Sequence, residues 1–215
     1  MNTRGNQKIA GAVLAFDFDF RGKTVLDIGS STGGFTEFAL NAGAEKVVAV
    51  EKGARQMKAP LRFDSRVELF EKTDIFEVVS ESHEKDMELK RRDIASEAHM
   101  TASDANDLSK RVIIPTPDVI LADVSFVSLK PILKYAKKCL AGPKTEFLVM
   151  LKPQFEAIDS QLNRGVVKNE KIRREIMREF EGWLKHNGFF IKQKRDNDLA
   201  GKKGNIERFY WLNMV

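Results

Sequence analysis

The sequence predicts an α/β fold built on a mostly parallel, seven-stranded sheet, with helices on both faces and an antiparallel hairpin at one edge. Three observations point there. Apolar runs such as Thr24–Ile28, Lys46–Val50 and Phe147–Leu151 are too short for helices and do not alternate, as expected of strands buried on both faces. Between them lie stretches of helical periodicity, the alternation that builds βαβ units. The C-terminal runs, from Phe189 and from Ile206 to Leu212, follow one another without an intervening helix, which suits a hairpin on the sheet edge. At 215 residues the chain, 1–215, is most economically one domain with a substantial core.

Taken in order, Ile9, Val13, Leu14 and Phe16 keep helical rhythm within residues 1–22, and Arg21-Gly22-Lys23 turns into a first strand over 24–28. A loop of small residues leads into a helix over 33–42, marked by Phe35, Phe38 and Ala39. Strand 46–50, a helix over 54–61 and strand 66–70 follow. The stretch from Ser80 to Arg111 interrupts the alternation, with 6 basic and 8 acidic residues and few large apolar ones. It is expected to be a charged surface excursion, in part helical over 84–99. The core resumes with strand 117–123, a helix over 129–140 and strand 147–151. Ile172, Ile176, Phe180, Trp183 and Leu184 mark an amphipathic helix closed by Asn187-Gly188.

Composition narrows the function classes. With 42% apolar and 31% charged residues the composition is that of a soluble globular protein, expected in the cytoplasm, and no apolar stretch approaches the ~20 residues that span a bilayer. The single cysteine, Cys139, excludes an internal disulfide and fits a helix core. Three scattered histidines (His83, His99, His186) lack ligand spacing, so no metal site is expected. The net charge of +5 is concentrated between Asn163 and Arg208, where 13 basic residues face 7 acidic ones. Such a face suits phosphates of a nucleic acid, or is a solvated lysine-rich surface.

The chemistry is expected at the strands' carboxyl ends, where open parallel sheets bind ligands: Asp27 and Gly29, Glu51, Asp74, Asp123 and Lys152. The stretch from Asp27 to Phe35 is a strand turning through glycines into a helix N-terminus, a ready nucleotide site. Its glycines stand at 29, 33 and 34 rather than in G-x-G-x-x-G, and Asp27 precedes the first. That wider loop suits S-adenosylmethionine, which has no pyrophosphate to clamp and an amino-acid tail to hold. The candidate loop residues are Asp27, Gly29, Ser30, Ser31, Thr32, Gly33, Gly34 and Phe35, although Phe35 is more simply a core residue. Glu51, about 20 residues on, is placed for ribose hydroxyls. Lys52, Thr73, Asp74 and Asp123 complete the set, with Asp74 expected against the adenine.

Asp27-Ile-Gly-Ser-Ser-Thr-Gly-Gly-Phe-Thr36, Ala122-Asp-Val-Ser-Phe-Val-Ser-Leu129, Leu151-Lys-Pro-Gln-Phe-Glu156, Gly165-Val-Val167 and Lys203-Gly-Asn-Ile-Glu207 resemble the TlyA or hemolysin A family of FtsJ-like methyltransferases, which act on ribose 2′-hydroxyls of ribosomal RNA. The resemblance covers the chain except 80–111, an excursion longer than the family pattern. It implies a Rossmann-like, class I S-adenosylmethionine-dependent fold, a ribosomal RNA partner and a Lys-Asp-Lys-Glu tetrad. On this sequence the tetrad falls on Lys8 (from Arg4-Gly-Asn-Gln-Lys8), Asp123, Lys152 and Glu207. Lys152 would withdraw the hydroxyl proton as a neutral amine beside the cation Lys8, or stay charged and stabilise the alkoxide. Members of the family usually carry a small N-terminal RNA-binding domain, and this chain begins where that domain would end. The competing readings are a membrane-active hemolysin, a non-catalytic RNA-binding protein of the same fold and a small-molecule methyltransferase.

Overall fold

A computed structural model describes residues 3–87, 111–201 and 203–215. In chain order its strands are β1 (Thr24–Ile28), β2 (Lys46–Glu51), β3 (Val67–Glu71), β4 (Val78–Ser80), β5 (Val112–Ile114), β6 (Val119–Ala122), β7 (Glu146–Leu151), β8 (Phe189–Asp196) and β9 (Arg208–Met214). The principal helices are α1 (Arg4–Phe16), α2 (Gly34–Asn41), α3 (Leu129–Cys139) and α4 (Glu170–His186).

Seven strands form one sheet in the order β3-β2-β1-β6-β7-β9-β8. The first five are parallel, while β9 runs antiparallel to both β7 and β8, the expected edge hairpin. The order reverses between β1 and β6, which opens a crevice above their carboxyl ends. Successive residues point to opposite faces, and both faces are covered. Leu26, Ile120 and Val149 pack with α3 and α4, whereas Val25, Leu121 and Leu148 pack with α1 and α2.

The helix expected over 54–61 does not form. Leu61–Phe63 is a single 3₁₀ turn, and Arg55 takes a positive φ of 58°. Gly53 and Pro60 bracket the segment, and proline removes an amide donor and restricts the residue before it. The Met57 and Leu61 side chains gather around Gly33.

Beside the main sheet, β4 and β5 pair in parallel as a separate two-stranded sheet, Val78 opposite Val112 and Ser80 opposite Ile114. These triplets were not expected as strands, because each is too short to show a period. They close the base of the charged stretch. Of that stretch residues 81–87 are helical, and the remainder of the helix expected over 84–99 lies outside the described residues. Ser128 caps α3 and Asn169 caps α4 through their side-chain oxygens, and α4 ends where Gly188 takes φ 69°.

Candidate active site

A cavity of about 730 Å³ occupies the crevice above β1 and β6. Four segments wall it: the glycine loop after β1, the loop after β6 (Asp123, Ser125, Phe126), the turn after β7 (Lys152, Gln154, Phe155), and the approach to β9 (Gly201, Asn205, Glu207). The first turns of α1 close the remaining side with Arg4, Gly5 and Lys8.

The glycine loop's two halves serve different ends. Gly29, at φ 78°, lets the chain turn off β1 beside the Asp123 carbonyl, and Gly29, Ser30, Ser31 and Thr32 line the cavity. Gly33 does not line it. A Cβ there would stand 2.4 Å from Leu61 Cδ2, so this glycine admits the 57–61 segment from behind. Gly34 lines the cavity, yet a Cβ there would stand 2.9 Å from Gly5 Cα and 3.0 Å from Asn6 N. Its smallness brings α1, and with it Lys8, onto the start of α2. Phe35 touches the cavity but stacks on Phe209 at 6.0 Å and is 3% exposed, a core residue.

The more distant cofactor candidates do not line the cavity. Glu51 at the end of β2 stands just behind it: its carboxylate accepts from Ser31 N at 2.8 Å, Gly53 N at 2.6 Å and Gln56 Nε2 at 3.1 Å. Lys52 and Asp74 pair with each other at 2.8 Å, and the Asp74 carboxylate also caps a 3₁₀ turn through Phe76 N. The Thr73 hydroxyl donates to Glu71 O. The sequence offered no sign that Lys52 and Asp74 would pair with each other at the surface.

Asp27 lies on the cavity floor, 1% exposed. Its Oδ2 accepts from the Thr36 hydroxyl at 2.6 Å, whereas Oδ1 is buried without a protein partner. Burial raises its pKa to about 7; the Thr36 hydrogen bond opposes this and the charge of Asp123 adds to it. Ser30 Oγ, on the same wall, is also buried without a partner. Two buried oxygens left for donors are what a cationic, hydrogen-bonding ligand group requires.

All four tetrad positions reach this cavity, as two lysine–carboxylate pairs. Lys8 Nζ stands 2.5 Å from Glu207 Oε2, with side chains 9% and 3% exposed. Lys152 Nζ stands 2.6 Å from Asp123 Oδ1 and 2.7 Å from Ser125 Oγ, with Asp123 O at 3.4 Å. Each lysine is thus paired with its own carboxylate, and the Leu151–Arg208 pairing of β7 and β9 sets the Lys152 and Glu207 positions side by side. A buried lysine needs such a partner. Asn205 steadies the Glu207 side by accepting from Val167 N and donating to Gly165 O, both at 3.0 Å. At the rim, Phe126 is 89% exposed and packs on Phe155 with ring centres 5.4 Å apart.

Sequence reasoning passed over Ser125, Gln154, Glu156 and Asn205. Each sat inside a quoted motif, so the signal was their adjacency to Asp123, Lys152 and Glu207.

The chain is similar to known proteins. The family model described as FtsJ-like methyltransferase matches residues 1–214. The chain is 31% identical over 211 residues to the 16S/23S rRNA (cytidine-2′-O)-methyltransferase TlyA of Mycobacterium tuberculosis, covering 98% of this chain and 67% of that protein. It is 31% identical over 208 residues to Hemolysin A of Brachyspira hyodysenteriae, covering 95% and 73% respectively. The chain thus spans about two thirds of the length of the curated relatives it matches. A candidate hemolysin from Lactococcus lactis, 28% identical, superposes with a TM-score of 0.78 over 98% of this chain and 87% of that one.

Proposed function

The chain belongs to the FtsJ-like methyltransferase family, and from that premise we propose that it transfers a methyl group from S-adenosylmethionine to a ribose 2′-hydroxyl of ribosomal RNA. The observation that supports this reading most is convergence: the glycine loop with its two unpartnered buried oxygens and both lysine–carboxylate pairs share one cavity. The relative from Mycobacterium tuberculosis is named for that reaction on cytidine.

The cavity's chemistry fits the cofactor. Asp27 Oδ1 and Ser30 Oγ would take N–H donors of its amino-acid end, with Gly29, Ser31 and Thr32 beside them. Glu51, one residue layer behind Ser31, would reach the ribose hydroxyls by exchanging its present amide partners. When bound, S-adenosylmethionine supplies an electrophilic methyl group on a sulfonium. Everything else falls to the chain.

A ribose hydroxyl becomes nucleophilic only as its proton leaves. Lys152 is held against Asp123 and Ser125 to meet that hydroxyl, either taking the proton as an amine or stabilising the developing alkoxide as an ammonium. Glu207, set beside the Lys152 position by the Leu151–Arg208 pairing of β7 and β9, holds Lys8, so the cluster adds no large net charge. Phe126 offers an exposed ring at the rim on which a base can stack.

The reading is tested by transferring labelled methyl from S-adenosylmethionine to purified ribosomal subunits, beside Lys152→Ala. Label in a ribose-O-methyl nucleotide with wild type, and a loss of about a hundredfold or more with the variant, is expected. Label on a base or on protein would overturn it. The pH–rate profile of single-turnover transfer then separates the two roles: a rising limb marks the amine, and a flat profile from pH 6 to 10 marks the ammonium. The hemolysin names invite a membrane reading, but no helix among the described residues is long and apolar enough to cross a bilayer.

A further inference from the structure

The last residue of the Lys152-Pro-Gln-Phe-Glu156 motif has no place in the chemistry above, and its surroundings are specific. The Glu156 side chain is 4% exposed. Its Oε1 accepts from Leu129 N at 2.7 Å and its Oε2 accepts from Ser128 Oγ at 2.8 Å. Lys130 Nζ is farther away, at 3.9 Å. Ser128 is the N-cap of α3 and Leu129 its first residue, so one carboxylate grips the helix start through an amide and the cap hydroxyl together. Carboxylates are favoured at helix N-termini, where free amides and the dipole meet them.

A helix cap is normally supplied by the residues just before the helix. Here a second cap comes from 27 residues further on, across the sheet, from the turn that follows β7. That turn carries Lys152, and the loop that leads into α3 carries Asp123 and Ser125. The two segments meet at their reacting end through the Lys152–Asp123 and Lys152–Ser125 contacts, and at their far end through Glu156. Both ends of the seam between the two loops are therefore fixed. We infer that Glu156 is a positioning residue that locks the Lys152 turn to the Asp123–Ser128 loop and so sets Lys152 against its two partners. The inference rests on the proposed role of Lys152 in ribose methylation. Errors of about 1 Å in such an alignment can cost about a hundredfold in rate.

The test pairs two readouts on the full chain, using Glu156→Ala and Glu156→Gln. Amide hydrogen exchange reads the loop directly. In Glu156→Ala the segment 123–130 should exchange at least about tenfold faster, while 24–36 is unchanged. Single-turnover methyl transfer to ribosomal subunits should fall about tenfold or more in kcat, with S-adenosylmethionine affinity within about twofold of wild type. Glu156→Gln keeps an acceptor for Leu129 N and should recover most of the rate. Where Glu156→Ala does not fold, Ser128→Ala removes the hydroxyl arm together with the cap bond from Lys130 N, leaves Leu129 N on Glu156, and should give a loss in the same direction.

Unchanged exchange at 123–130 would overturn the inference. So would faster exchange with an unaltered rate, which would leave Glu156 a stabilising cap alone. Parallel loss of cofactor affinity and rate, unrescued by glutamine, would likewise overturn it. Failure of the functional reading looks different: wild type and Lys152→Ala would then transfer no ribose label alike, and the positioning role would fall with it.

Discussion

Asp27 couples the stability of the protein to its binding chemistry. A carboxyl whose pKa rises from 3.8 to about 7 on folding binds a proton in the native state that the unfolded chain has released. Its contribution is therefore neutral below about pH 4 and destabilising as pH rises toward 7, by on the order of 4 kcal/mol if the shift is complete. Asp27→Asn should remove this loss, because the amide oxygen still accepts from the Thr36 hydroxyl. Urea midpoints of wild type and variant should diverge between pH 4 and 7, with the variant the more stable at neutrality; parallel curves would refute it. A cation bound at Oδ1 favours the ionised form, so S-adenosylmethionine affinity should increase from pH 6 to 8 in wild type. In Asp27→Asn calorimetry should find weak, pH-insensitive binding. None of this could be read from the sequence beyond the bare position of an acid before a glycine. That Oδ1 lacks a partner depends on how Thr36, nine residues on, folds back.

At the scale of elements, the contact of α1 with α2 is where sequence and site meet. Gly5 and Gly34 face each other, and a Cβ on Gly34 would stand 2.8 Å from Thr3 Oγ1 and 2.9 Å from Gly5 Cα. Gly34→Ala must push α1 away from the glycine loop, at about 1–3 kcal/mol for overpacking against backbone. Because Lys8 rides on α1, the same variant should loosen the Lys8–Glu207 pair and depress methyl transfer more than the lost stability alone explains. Thermal melts read beside single-turnover rates check this; a rate unchanged at a temperature where the variant is fully folded would count against it. Gly33 and Gly34 were legible as a nucleotide-loop signature, whereas the close approach of Leu61 to Gly33 and of α1 to Gly34 was not. The same limit explains the missing helix at 54–61. Alternation of strand and helix is a coarse signal, and Met57 and Leu61 make their contact across the loop, on Gly33, rather than along a helix. The strands β4 and β5 escaped for the converse reason, since three residues hold too little pattern to be heard.

Across the whole molecule, sheet order made the site predictable. Once strand and helix alternate, the carboxyl ends of β1 and β6 must face one crevice, and residues as distant as Asp27, Asp123 and Lys152 converge there. Charge distribution was legible only in total. Of the basic residues between Asn163 and Arg208, Arg173, Lys194, Arg195 and Arg208 are consumed in ion pairs with Glu181, Asp196 and Asp198. Arg164, Lys168 and Lys203 hold no ion pair among the described residues, and Lys203 lines the cavity beside Gly165. If these three meet RNA phosphates, the affinity for a ribosomal RNA fragment should fall with salt, with a logarithmic slope of about −2. Substituting all three by alanine should flatten that slope and weaken binding at low salt, while S-adenosylmethionine affinity stays unchanged. Filter binding across salt concentrations decides it. A slope that survives the triple substitution would place the RNA contact elsewhere on the molecule, and would separate the cavity's catalytic role from the basic segment that the sequence made conspicuous.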